Sequence, residues 1–308
     1  MNTVLEVDNA IISEVLTNPD KMFFPEAELT KKDILTYYYL MADYILPYLR
    51  NRPLVLKRYP NGITGKSFYQ KEMPSYAPVW LKSVPIYHED ANKEVNYIVI
   101  DDPRSLLWVI NQGAIELHAW LSQVGNINFP DLIIIDLDPE PPAMFKDCLV
   151  VASLVRELLL KLGLDAWPKT SGATGMHLFI PIKPIYSFQE TTEAAKELLK
   201  VILEVYPERT TMEHIIDKRT GKVYLDYLQN ARGRSMAFPY SIRPFPQATV
   251  SMPLSWEEIQ EQKVFPGDFT VKNVWARVQQ KGDYMQGLLK ENYKLESLLH
   301  LRGGPRTS

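Results

Sequence analysis

Cysteine is nearly absent from this chain: Cys148 is the one thiol in 308 residues. That excludes an intramolecular disulfide and any multi-cysteine zinc site. Its apolar, helix-patterned surroundings make Cys148 a core residue. Missing too is any apolar run near the ~18 residues that a membrane span requires. The opening stretch, Met1 to Ala10, has no basic region of the kind that begins a secretory signal. The expectation is a cytoplasmic protein with no membrane partner. No Pro-, Gly- or Ser-rich linker divides the chain, and neither an internal repeat nor a low-complexity segment is found, so any second lobe is interleaved with the first. A net charge of −3 excludes a uniformly basic nucleic-acid coat. Locally the balance differs. From Asp20 to Lys66 there are eight Lys/Arg against five Asp/Glu, and from Arg209 to Arg243 seven against three. Such surfaces permit a polyanion partner without demanding one.

What is present is an ordinary globular composition, 46% hydrophobic and 23% charged, and one stretch with chemistry in it. Asp131-Leu-Ile-Ile-Ile-Asp136-Leu-Asp138-Pro139 reads as a buried strand that ends in two carboxylates at i and i+2. Strand side chains alternate, so Asp136 and Asp138 point to the same side. Two like charges beside an apolar core are costly, and a divalent cation with oxygen ligands removes that cost. The pattern alone also suits a turn before Pro139, Pro141 and Pro142, or a nucleotide-sugar glycosyltransferase. A haloacid dehalogenase-like phosphatase fits less well, because Glu140 stands where that class wants Thr or Val.

Three further segments could complete such a site. Asp226 lies inside the apolar run Val223–Leu228, where a carboxylate is either salt-bridged or a metal ligand. Lys169-Thr-Ser171-Gly172-Ala-Thr-Gly175-Met-His177 places glycines and hydroxyls between a helix and a strand, suited to close backbone approach to phosphate. It is no Walker A loop, since Gly-Lys-Ser/Thr is absent. Phe68-Tyr69, with Lys57, Arg58 and Lys71 around them, could stack a base and grip phosphate, but neighbours on a strand face opposite ways, so at most one stacks.

The spacing predicts a helix from Thr30 (N-cap, with Asp33 three residues on) to about Arg50. It predicts a strand over Leu54–Arg58 with a turn at Asn61-Gly62, and a helix from Asp102-Pro103 towards Leu121. Further on come a helix over Ala143–Leu162 stopped by Gly163, a strand over Gly175–Ile182, a helix over Glu190–Val205 and a strand over Lys222–Leu228. A helical tail over Val271–Leu301 and a loose end, Arg302–Ser308, complete the reading. The alternation is uneven, so an α+β, or mixed α/β, fold is expected.

In their order and spacing, Asp136-x-Asp138, Ser171-Gly-x-x-Gly-x-His177 and Asp226 resemble the archaeo-eukaryotic primase superfamily, and more closely the polymerase domain of bacterial DNA ligase D. The similarity runs from about Leu16 to Trp275. It includes Thr17-Asn18-Pro-Asp-Lys21, Leu56-Lys57-Arg58-Tyr-Pro, Glu116-Leu-His118, Ala237-Phe-Pro-Tyr-Ser-Ile-Arg243 and Pro253-Leu-Ser-Trp256. The resemblance implies a primase-like fold with interleaved sheet lobes flanked by helices: a catalytic domain over 1–270, and a C-terminal helical extension over 271–308 packed on it. It implies that Asp136, Asp138 and Asp226 hold two divalent ions, Mn2+ or Mg2+. Ser171, Gly172, His177, Lys57 and Arg243, with Gln229, would hold the incoming nucleotide; Phe68 would lie near its base and His118 near its sugar. Asn18, Lys21 and Lys31 would grip a DNA 5′-phosphate.

The implied activity is template-directed nucleotide addition, with ribonucleotides preferred, at gaps or broken ends in non-homologous end joining. Its partners would be DNA and nucleoside triphosphates, in a nucleoid-associated setting. Alternatives within the same resemblance are a catalytically weak end-bridging module and a primase that starts chains de novo. Three positions depart from the frequent pattern: Thr174 and Arg234 where lysine is common, and Tyr69 where phenylalanine is. No Lys-x-Asp-Gly ligase motif occurs, so a stand-alone polymerase is expected, with an ATP-dependent ligase, a phosphoesterase and a Ku-like protein as separate chains.

Overall fold

The computed structural model describes residues 10–301. Most of the N-terminal stretch read for a signal, Met1 to Asn9, and the end expected to be loose, Arg302–Ser308, lie outside the described residues. Thr30 caps its helix as expected: its hydroxyl accepts from the Asp33 N–H, and the Asp33 carboxylate accepts from the Thr30 N–H at 2.7 Å. The helix is shorter than the pattern suggested. Following α1 (Ala10–Val15) and the strand pair β1 (Met22–Phe24) and β2 (Leu29–Thr30), α2 covers Lys31–Leu40 and α3 covers Ala42–Leu49, divided at Met41.

Next come β3 (Leu54–Arg58), β4 (Phe68–Gln70), the ribbon of β5 (Lys82–His88) and β6 (Lys93–Val99), and α4 (Pro103–Asn111). The expected helix from Asp102 to Leu121 is corrected here. Asp102 does cap it, accepting from Ser105 N–H at 2.8 Å, but Gly113 at φ +81 turns the chain out of the helix. Ala114–Ala119 is then strand β7. A Cβ on Gly113 would lie 3.0 Å from the Tyr59 carbonyl oxygen, so the turn needs glycine on two counts.

From Leu132 the chain forms β8 (Leu132–Pro139), α5 (Phe145–Lys161), β9 (Trp167–Thr170), β10 (Met176–Pro181), α6 (Phe188–Val205), β11 (Thr210–Thr211) and β12 (Val223–Asp226). β8, α5, β10, α6 and β12 match the expected strands and helices in type, although β12 stops at Asp226 and Leu228 begins a 3-10 turn; β9 and β11 have no counterpart in the sequence reading. Gly163 takes the left-handed conformation that stops α5, and Cys148 is fully buried on that helix. The remainder is β13 (Met236–Ala237), α7 (Trp256–Glu261), α8 (Val274–Lys281) and α9 (Glu296–Leu299). The tail is thus two short helices with a 3-10 turn between them, because Gly282 at φ +79 ends the first.

The chain divides into two compact units and passes between them several times, at 120–121, 234–235, 251–252, 268–269 and 282–283. Residues 271–282 fall in the first unit and the rest of the tail in the second. The first unit is built on a four-stranded antiparallel sheet, β13-β7-β3-β4, with α2, α3 and α4 packed together and α4 against β7. The second is built on a five-stranded sheet, β11-β12-β8-β10-β9, antiparallel except for β11 with β12, with α5 and α6 packed against β8. Ile133, Ile134, Ile135 and Leu137 are fully buried, the signature of a central strand covered on both faces. The fold is the mixed α+β architecture expected.

Candidate active site

In the second unit the strand register sets a row of polar residues straight across the sheet. Lys169 on β9 pairs with His177 on β10, His177 with Asp136 on β8, and Asp136 with Asp226 on β12. Directly opposed residues share a face, and Asp138, two residues beyond Asp136, shares it too. The three carboxylates expected to act together therefore lie on one face of one sheet. Asp136 and Asp226 are 7% and 9% exposed. His177 Nε2 is 3.3 Å from Asp136 Oδ1. Asp226 accepts from the Leu228 N–H at 2.8 Å and from Gln229 Nε2 at 3.0 Å, which places Gln229 on the triad's third member.

Among the described residues, no three carboxylate, imidazole or thiol groups already converge as a cage. The donor set nonetheless fits a hard divalent ion: three carboxylates on one face, all oxygen ligands, with like charges that an ion would neutralise. Asp226's present bonds are to groups that can release it, a backbone N–H and a flexible amide.

The loop before β10 brings the phosphate-binding candidates to the same sheet. Ser171 Oγ accepts from the N–H groups of Ala173 and Gly175, each at 3.1 Å, and the Ser171 N–H donates to the Gly175 carbonyl at 2.8 Å. The hydroxyl thus shapes the loop, and Gly172 at φ +73 makes its turn. Thr174 is exposed at the loop's tip. Gly175 is held against β8: a Cβ there would lie 2.1 Å from the Leu137 carbonyl oxygen and 2.9 Å from Asp138 Oδ1. Gly175→Ala is expected to push β10 away from β8, which carries Asp136 and Asp138, and to destabilise the protein by about 1–3 kcal/mol. Chemical denaturation would check it; an unchanged midpoint would mean that the strands adjust freely.

In the first unit a second row crosses the four-stranded sheet: Tyr69 on β4, Lys57 on β3 and Glu116 on β7. Glu116, 1% exposed, is its centre. It lies 3.1 Å from Lys57 Nζ, 2.9 Å from Arg243 Nε and 3.5 Å from His118 Nε2, and it accepts from the Tyr59 hydroxyl at 2.9 Å. Burial, the largest influence on its carboxyl, pushes the pKa up. The close approach of His118 and the charges of Arg243 and Lys57 outweigh it and hold Glu116 at about 2. Burial depresses Lys57 in turn, and Tyr59 and Glu116 more than reverse that, so its ammonium stays charged.

Three expected nucleotide-site residues, Lys57, His118 and Arg243, are therefore brought together by Glu116, a carboxylate for which the sequence suggested no role of its own. The signal was available: Glu116 and His118 alternate with Ile115 and Leu117, the period of a half-polar strand. Phe68 and Tyr69 face opposite ways, as neighbours on a strand must. Tyr69 meets Lys57 at 5.5 Å and His118 at 6.2 Å, whereas Phe68 lies under Arg58 at 5.4 Å. The aromatic sharing the Lys57–His118 face is Tyr69; Phe68, 47% exposed, belongs to the face of Arg58.

The candidate 5′-phosphate residues also meet in this unit. Lys31 Nζ donates to the Thr17 carbonyl at 2.8 Å, and the Lys31 N–H donates to the Lys21 carbonyl at 2.8 Å. The Lys21 N–H donates to the Asn18 carbonyl at 3.2 Å, and Lys21 Nζ to Asn61 Oδ1 at 2.8 Å. Burial first, then the charges of Lys21 and Arg58, lowers Lys31 to about 8. Cations crowded until one is close to losing its proton make a site primed for an anion.

Comparison with known proteins sets this architecture in the primase-type polymerase class. The chain matches, over 90% of its length and 98% of the other's, the solved "Polymerase Domain from Mycobacterium tuberculosis Ligase D in complex with DNA", with a TM-score of 0.84 and 30% identity. It is 35% identical over 267 residues to the "Bifunctional non-homologous end joining protein LigD" of Bacillus subtilis, covering 86% of this chain and 42% of that protein. To the "Multifunctional non-homologous end joining protein LigD" of Mycolicibacterium smegmatis it is 32% identical over 251 residues, 81% of this chain and 33% of the relative. The chain thus spans a third to two fifths of the length of these curated relatives. With the family model "LigD, primase-polymerase domain" matching residues 30–285, the chain belongs to the LigD primase-polymerase domain family.

Proposed function

We propose that this protein adds nucleotides to the 3′ ends of gapped or broken DNA under template direction, as a polymerase of non-homologous end joining. The observation that carries it is the set of three carboxylates, Asp136, Asp138 and Asp226, on one face of the five-stranded sheet of a LigD-type primase-polymerase domain. Two divalent ions, Mn2+ or Mg2+, bound there would supply activation of the 3′-hydroxyl and charge neutralisation at the reacting phosphates.

The chain's own residues do the rest. His177 presents a ring nitrogen at the carboxylates, and the Ser171–Gly175 loop offers a backbone that a phosphate can approach closely. Lys57 and Arg243, held by Glu116, supply fixed cations for triphosphate charge. Tyr69 and His118 line the same face for base and sugar. Asn18, Lys21 and Lys31 take a 5′-phosphate across a gap. Ribonucleotides are the preferred substrates in this reading, and a ligase, a phosphoesterase and a Ku-like protein complete the repair.

The test is extension of a primer across a short gap, with the downstream strand phosphorylated or not, in Mn2+ or Mg2+, with ribo- or deoxyribonucleotides. Template-matched addition that is favoured by the 5′-phosphate is expected. Binding of ends without addition would overturn the polymerase reading in favour of end bridging.

Lys31 also gives this reading a pH signature. A phosphate beside it raises its pKa from about 8, so binding above that pH requires taking up a proton. The preference for phosphorylated over hydroxyl ends should be level near pH 7–8 and then fall, by at most about tenfold per pH unit for one linked proton. Fluorescence anisotropy with the two duplexes would read it; a preference unchanged to pH 9.5 would remove Lys31 from the pocket.

A further inference from the structure

Lys169 is fully buried, a rare place for a lysine without a task. Its Nζ lies 2.7 Å from His177 Nδ1, while the other ring nitrogen, Nε2, lies 3.3 Å from Asp136 Oδ1. The strand register repeats the order: Lys169 opposite His177, His177 opposite Asp136, Asp136 opposite Asp226. Two features favour a charged amine here. The Phe179 ring lies 5.4 Å from Nζ, a cation–π distance, and the carboxylates at the far end of the row supply counter-charge through the imidazole. An ammonium nitrogen has three donors and no acceptor, so a ring nitrogen in contact with it must accept.

We propose that Lys169 is a positioning residue: it makes His177 Nδ1 the acceptor and so turns a protonated Nε2 toward the carboxylates and the nucleotide phosphates. A metal-site histidine is commonly oriented by a carboxylate or carbonyl that accepts from its second nitrogen. Here the second nitrogen meets a donor, which sets the opposite tautomer and makes His177 a donor rather than a metal ligand on the carboxylate side. Lys169 touches neither substrate nor ion in this scheme; it acts through His177. The link to catalysis rests on the polymerase reading above, whereas the tautomer does not.

The experiment is 15N NMR of the histidine rings in the intact, metal-free protein, with His177 assigned by its loss in His177→Gln. It is repeated on Lys169→Met, whose side chain has similar length and no donor. The wild type should show an Nε2-protonated ring, and Lys169→Met should lose that single tautomer. Nucleotide addition by Lys169→Met should fall by about 10- to 100-fold in kcat/KM, the usual cost of removing an orienting partner. A wild-type ring protonated at Nδ1 overturns the inference without any variant, as does an unchanged tautomer in a folded Lys169→Met. A wild type that adds no nucleotides would overturn the functional reading alone, leaving the NMR arm to decide this one.

Discussion

Asp136→Ala is expected to abolish nucleotide addition, by roughly a thousandfold or more, while the protein remains folded. Asp136 holds the middle of the polar row, between His177 on β10 and Asp226 on β12, and shares its face with Asp138. Two of the three pairs that these carboxylates can form include Asp136, so its loss removes both ligand and charge. Stability should change little. Without metal, Asp136 adds a negative charge beside two others, and alanine relieves that repulsion at the expense of the 3.3 Å contact to His177. The two effects offset, and a melting temperature within a few degrees of wild type is expected. Extension on a gapped primer, measured beside thermal unfolding with and without Mn2+, separates the outcomes. Undiminished extension would mean that the carboxylate face is not the catalytic centre. Lost extension with a collapsed melting temperature would mean that Asp136 is structural. The metal should also raise the wild-type melting temperature and leave that of the variant nearly unchanged, because a ligand that binds only the folded state stabilises it.

The carboxylate face was legible because two local signals agreed: four apolar residues of a buried strand, then aspartates at the strand period, with Asp226 an anomaly inside its own apolar run. Lys169 was written in the same motif, but a lysine's burial follows from strand pairing, and no local pattern announces it. Glu116 was hidden by a wrong period. Leu106, Leu107 and Ile110 fit a helix opened by Asp102-Pro103, and the apolar residues Ile115, Leu117 and Leu121 carry no local mark that the chain has changed to a strand. Gly113 was the stop signal, and its left-handed φ shows why it should have outweighed the apolar count. Lys57 and Arg243 lie far apart in sequence. That they converge on one carboxylate is a consequence of topology.

Glu116→Gln should cost the first unit a large share of its stability. The carboxylate is buried, and Lys57, Arg243, His118 and Tyr59 all converge on it. Removing its charge takes from Lys57 and Arg243 the carboxylate on which both converge. Breaking a buried pair commonly costs 3–5 kcal/mol, and because Lys57 and Arg243 stay 25% and 18% exposed, and so partly hydrated, about 3 kcal/mol is the expected loss. The pH dependence carries the same signature. A carboxyl held at about 2 in the fold and near 4.5 when unfolded contributes stability in full above pH 4.5 and loses it as the pH falls toward 2. Wild type should therefore lose stability between pH 4.5 and 2 more steeply than Glu116→Gln, and the two unfolding curves should approach each other in acid. Activity should fall as well, through a raised KM for the nucleotide, since Lys57 and Arg243 would no longer be held in one place to meet its phosphates. Urea unfolding at pH 7 and at pH 3 tests the first claim. A constant gap between wild type and variant across that range would mean that Glu116 contributes by shape rather than by charge.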